Sequence, residues 1–133
     1  MNNSVFVFDL DDTLYKEIDF LKSAYKFIAS KVDKGNSSNL YIKMLEGYYS
    51  GKNVFQVLSK SHPRYTVEKL LELYRGHYPD ITLDSDTTST LNYLKNYGKT
   101  GLITDGRSLT QRNKIKALGI DDYFDKILIS EEI

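Results

Sequence analysis

The chain has 133 residues, no cysteine and a formal net charge of zero. Without cysteine a disulfide framework, a thiolate metal site and a cysteine nucleophile are all excluded, and the balanced charge gives no electrostatic case for nucleic acid or an anionic membrane as partner. Hydrophobic residues make up 41% and charged residues 27%, a balance that can bury the core of a soluble globular chain.

Met1-Asn-Asn-Ser4 has no basic segment followed by a long apolar one, and no later run approaches a membrane span, so a cytoplasmic location is expected. Asn2-Asn3-Ser4 fits a glycosylation sequon, which we read as chance in the absence of a secretion signal. Val5, Phe6, Val7 and Phe8 then form a short apolar run, β-branched and aromatic, that reads as a strand buried on both faces. Asp9, Asp11 and Asp12 follow at once. Three carboxylates at the carboxyl end of such a strand sit where open α/β sheets place ligands, and they repel one another unless a cation is shared. That predicts a hard, oxygen-seeking metal, Mg²⁺.

The pattern next becomes helical. Phe20, Leu21, Ala24, Tyr25, Phe27, Ile28 and Val32 recur at three- and four-residue spacing, with a stop near Lys34-Gly35-Asn36. Ser37 or Ser38 can cap a second helix, whose stripe is Leu40, Tyr41, Met44, Leu45 and Tyr48. A short piece from Val54 to Leu58 runs toward His62-Pro63, and Thr66 starts a fourth helix with Val67, Leu70, Leu71, Tyr74 and Tyr78 on one face and Pro79 closing it. These short helices suggest a small bundle. Its tyrosines fall on the leucine faces and read as core, with substrate contact as the competing reading. His62 and His77 lack any metal-ligand context and read as ordinary surface or cap residues.

From Asp84 the chain returns to a strand-and-helix alternation. A helix bearing Leu91, Tyr93, Leu94 and Tyr97 can end at Gly98, and Thr100-Gly-Leu-Ile-Thr104 reads as a second buried strand closing on Thr104, Asp105, Gly106 and Arg107. Ser108 to Gln111 has capping-box spacing, so a helix begins there and aims its N-terminus at the same turn, a geometry suited to an anion. It stops at Gly119, and Lys126-Ile-Leu-Ile129 makes a third buried strand.

Phe8-Asp-Leu-Asp-Asp-Thr-Leu14 matches Asp-x-Asp-x-Thr, the first signature of the haloacid dehalogenase-like (HAD) hydrolases, and the strand ending Thr104-Asp-Gly106 resembles the second. The resemblance covers nearly the whole chain and implies an α/β fold. Residues 1–15 and 84–133 would form part of a Rossmann-like parallel sheet, and 16–83 an inserted helical-bundle cap of type 1. It further implies a Mg²⁺-dependent phosphatase acting on a small phosphorylated metabolite. Asp9 would be the nucleophile and a metal ligand, and Asp11 the general acid and base, giving Mg²⁺ its backbone carbonyl. Asp12 and Thr13 would hold the turn. The Thr104 hydroxyl and the backbone N–H groups around Asp105 and Gly106 would bind phosphoryl oxygens, with Arg107 either adding charge or facing water.

Relatives of this type carry a lysine and further metal-binding acids beyond the stretch that here ends Ser130-Glu-Glu-Ile133. The chain therefore reads as the N-terminal portion of such an enzyme, inactive alone, with a sheet edge and apolar face left open to self-association or to a completing segment. Lys114 and Lys116 read as surface residues, and Asp121, Asp122 and Asp125 as poor stand-ins for the distal acids. The alternative is a catalytically dead phosphate- or Mg²⁺-binding or interaction protein. A phosphorelay receiver domain is disfavoured, because residues 50–60 contain no aspartate.

Overall fold

The structure is a computed structural model and describes residues 4–133; Asn2 and Asn3 of the sequon lie outside the described residues. The chain forms two compact units, the first made of residues up to Phe20 together with Tyr78–Ile133, the second of Leu21–His77.

In the first unit, β1 (Ser4–Phe8), β2 (Gly98–Thr104) and β3 (Lys126–Ile129) make a parallel sheet in the order β1-β2-β3. Phe8 is paired with Leu102 and Thr104 with Ile129, so the polar ends of the strands lie side by side. α5 (Ser85–Lys95) packs on β2, and α6 (Ser108–Leu118) makes the crossover from β2 to β3. The architecture is the α/β, parallel-stranded one that the alternation of patterns implies.

The strands are not buried on both faces. Side chains alternate along β2, with Thr100, Leu102 and Thr104 buried and Lys99 and Ile103 exposed. The register puts Val5, Val7, Ile103 and Leu128 on one face, where Val5 is 64%, Val7 57% and Ile103 51% exposed. One apolar face of the sheet is therefore open among the described residues. The buried face is well satisfied: the Thr100 hydroxyl donates to the Tyr123 carbonyl, and its N–H donates to Asp125 Oδ2 at 2.8 Å.

Gly98 does not end α5. The helix stops at Lys95, and Gly98 is the first residue of β2, where a Cβ would stand 2.2 Å from the Ser4 carbonyl oxygen. Close approach of β1, rather than a helix terminus, is what requires glycine there. Gly119 does end α6 in the left-handed region, at φ 68°.

α1 (Glu17–Val32) begins in the first unit and runs into the second, where it is followed by α2 (Ser37–Tyr49), α3 (Val54–Ser61) and α4 (Val67–Arg75). The rings of Tyr25, Phe55 and Tyr74 meet pairwise at 5.9–6.3 Å and join α1, α3 and α4. Side-chain caps open α3 and α4, from Asn53 to the Gln56 N–H and from Thr66 to the Lys69 N–H. The serine cap expected on α2 is absent, because the helix starts at Ser37 behind Asn36. α4 closes at Gly76, so Tyr78 lies beyond the helix and is exposed, as is Tyr48 on α2. Core packing therefore holds for Tyr25 but not for these two tyrosines. Of the two readings for His77, surface does not hold: it is half-buried within the helical unit, stacked on Phe27 and bonded to Ser23 at 2.7 Å.

Candidate active site

Asp9 follows β1 directly and is exposed at the sheet's carboxyl edge. The next three residues turn sharply. Asp12 adopts φ 57°, a left-handed conformation that aspartate tolerates, and its Oδ1 accepts the Glu17 N–H at 2.8 Å, holding the start of α1. Leu10 and Leu14 are buried beneath this turn and anchor it. Asp12 thus has a structural task as the turn's brace.

Asp11 points inward and is engaged by three donors. Its Oδ1 accepts the Tyr15 hydroxyl at 2.6 Å and Lys114 Nζ at 2.8 Å, and its Oδ2 accepts Gln111 Nε2 at 3.0 Å. Lys114 is only 4% exposed, so it is not the surface residue its sequence position suggested. Its ammonium lies 4.7 Å from the centre of the Phe20 ring, which supplies a second favourable contact for a buried cation. Burial works to raise the Asp11 pKa, but the bonds from Lys114 and Tyr15 and the Lys114 charge outweigh it, leaving the carboxyl below its ordinary range. Nearby Glu17 is shifted the other way, first by burial and then by the Asp11 charge. Lys116 is exposed.

Thr104 ends β2 with its side chain buried, and Gln111 Nε2 donates to its Oγ1 at 2.7 Å. The same amide therefore touches both the Asp11 carboxylate and the Thr104 hydroxyl. Gly106, at φ +146°, leaves room for this: a Cβ would come within 3.1 Å of the Gln111 side chain.

The turn after β2 is held from the C-terminal side. Ser130 Oγ donates to Asp105 Oδ1 and accepts the Gly106 N–H at 2.8 Å. Glu131 Oε1 accepts the Ser108 N–H at 2.8 Å, and Glu132 takes the Ser108 hydroxyl together with a two-pronged Arg112 contact at 2.7 and 3.0 Å. The capping box is accordingly not formed. Ser108 and Gln111 bond to distant groups instead of to each other's backbone, and the first N–H of α6 faces a carboxylate of its own chain. Arg107 is exposed.

Of the three strand-end carboxylates, Asp11 and Asp12 accept hydrogen bonds from within the chain. No group of three or more His, Cys, Asp or Glu converges among the described residues. What the turn offers a metal is the Asp9 carboxylate and main-chain carbonyls. This all-oxygen set fits Mg²⁺, which is commonly held by one or two carboxylates and retains several waters.

The strand-end acids and the Thr104 turn lie within a match, over residues 6–133, to the haloacid dehalogenase-like hydrolase family. The chain belongs to that family. Among curated relatives of this HAD chain, the glyceraldehyde 3-phosphate phosphatase of Methanocaldococcus jannaschii is 32% identical, over 95% of this chain and 61% of the relative. The HAD chain thus spans less than two thirds of the length of that relative. Solved structures agree in fold. Bacillus subtilis YfnB bound to magnesium gives a TM-score of 0.58 at 15% identity, covering 99% of this chain and 65% of that one. L-2-haloacid dehalogenase from Xanthobacter autotrophicus with chloropropionic acid covalently bound gives 0.54 at 15% identity, covering 98% and 58%.

Gln111, Lys114, Tyr15 and Ser130 were not anticipated as site residues. One signal was available: positions 111, 114, 115 and 118 form a single helical stripe, and a lysine among inward-facing residues calls for a buried partner.

Proposed function

We propose that this chain carries the nucleophile half of a Mg²⁺-dependent phosphatase acting on a small phosphorylated metabolite. The observation that carries the reading is the adjacency of an exposed Asp9, an inward Asp11 and the Thr104 turn at the ends of two paired parallel strands. The phosphatase relatives support a phosphate monoester as substrate, and the place of the helical unit in the chain supports its reading as the substrate-selecting cap.

A carboxylate oxygen of Asp9 attacks phosphorus, forming an O–P bond as the bond to the leaving oxygen breaks, and the leaving oxygen takes a proton from Asp11. Water then attacks the phosphorus of the aspartyl-phosphate, giving its proton to Asp11, which frees inorganic phosphate and restores Asp9. Thr104 donates its hydroxyl hydrogen to a phosphoryl oxygen while its own oxygen accepts from Gln111. Backbone N–H groups around Asp105 and Gly106 bind further oxygens once Ser130 yields its place. Mg²⁺, held by Asp9 and the Asp11 carbonyl, would neutralise charge on the phosphoryl group when bound. The Lys114 pairing favours ionised Asp11, so the base step is the better supported of its two roles.

A second reading, a phosphate- or metal-binding protein without turnover, is favoured by one feature: Asp11 is ion-paired with Lys114 and also accepts from Tyr15 and Gln111, which opposes its role as the proton donor to the leaving oxygen while Asp9 stays exposed. Phosphate release from p-nitrophenyl phosphate, measured with and without Mg²⁺, decides between the two. Turnover that needs Mg²⁺ and falls to background in Asp9→Asn, by this chain or by a longer protein that contains it, is the result the phosphatase reading requires; phosphate binding without turnover establishes the second reading.

A further inference from the structure

We propose that Gln111 and Lys114 are positioning residues that, with Tyr15, keep the Asp11 carboxylate turned inward and out of the coordination of the metal. The inference rests on the phosphatase reading of the turn. It also gives a task to two α6 side chains that the reaction does not itself use.

The geometry is specific. Asp11 has two carboxylate oxygens, and both are engaged, Oδ1 by an ammonium and a phenol, Oδ2 by an amide. Turning this carboxylate outward toward a cation would break an ion pair at 2.8 Å and the bonds from Tyr15 and Gln111. Lys114 in turn would be left buried without its counter-charge, a costly arrangement. Gln111 adds a second constraint, because one nitrogen reaches Asp11 on one strand's end and Thr104 on the other's, tying the spacing of the two turns. Gly106 is part of the device, since a side chain there would press on Gln111 at 3.1 Å. Asp9, exposed at the end of β1, remains the carboxylate offered to a metal. In metal sites generally, removing the partner that orients a ligating group weakens binding by about 10- to 100-fold; here the partners hold a carboxylate away from the metal, so their removal acts in the opposite direction.

The test is Mn²⁺ binding to the 133-residue protein, by electron paramagnetic resonance of the free ion, with Mn²⁺ standing in for Mg²⁺. Lys114→Met releases Asp11 and should tighten Mn²⁺ binding about tenfold, because ligand charge count sets the affinity of an oxygen-ligand site. Gln111→Met should tighten it in the same direction, and serves if Lys114→Met does not fold, which thermal unfolding of each variant reports. The decisive comparison repeats Lys114→Met on an Asp11→Asn background. If the carboxylate is what the substitution sets free, the gain disappears there. A gain that persists shows Lys114 acting only by its charge and overturns the inference, as does unchanged or weaker binding in both single variants. Asp9→Asn reports on the underlying reading separately. Binding that depends on Asp9 but ignores Lys114 and Gln111 sinks this inference alone, whereas no Mn²⁺ binding by any form sinks both.

Discussion

Glu132 shows how far a single exposed contact can move a side chain's chemistry. The Arg112 guanidinium, and after it the Ser108 hydroxyl, hold its carboxyl down to about 2 from an ordinary 4.5. Between those two values the unfolded chain binds a proton that the folded chain does not. Stability therefore rises with pH through that window and is lost as pH falls toward 2. A carbon-detected NMR titration should find the Glu132 midpoint near 2, and Arg112→Ala should return it toward the ordinary glutamate value. This contact could not be read in the sequence, where Arg112 and Glu132 lie 20 residues apart with a strand between them. The same holds for Lys114 and Asp11, 103 residues apart, although lysine on a buried stripe was a visible anomaly. As candidate positions, Asp9 and Thr104 were legible because each closes an apolar run, and Asp11 because it stands two residues after Asp9, patterns contained in a few consecutive residues.

At the scale of elements, the legible features were those with local causes. Thr66 was read as the start of α4, and its side chain does accept the Lys69 N–H at 3.2 Å. Thr66→Ala should cost about 1 kcal/mol by urea unfolding, whereas Ser37→Ala, at a position with no side-chain cap, should cost much less. Ser108 marks the limit of such reasoning. Its spacing to Gln111 satisfies the capping-box pattern, yet both side chains find stronger partners, carboxylates in each case, brought in from elsewhere in the chain. Gly98 shows the converse error. A glycine after a helical stripe is most simply a terminator, and only the pairing of β1 reveals that the missing Cβ makes room for the Ser4 carbonyl.

For the molecule as a whole, order along the chain revealed the α/β alternation, but not which sheet face is covered. Burial on one face or both depends on elements that a run such as Val5–Phe8 does not encode. The two faces should answer differently to substitution. Leu102→Ala, at a position with no solvent exposure, should cost about 2–5 kcal/mol, and Ile103→Ser, on the open face, well under 1 kcal/mol, as measured by equilibrium denaturation. Among the described residues no helix is long and apolar enough to cross a membrane.

The pairing of Ser4 with Gly98 has a further consequence, for the order of events during synthesis. β1 and its acidic turn leave the ribosome first, but their hydrogen-bonding partner is made only after the whole Leu21–His77 unit has emerged. The helical unit, built from contacts close in sequence, can condense while β1 waits unpaired. The strand that carries Asp9 is thus translated well before its hydrogen-bonding partner and can be secured only once that partner emerges. Folding should be slow relative to a helical chain of this size, with its rate set by closure of that single long connection.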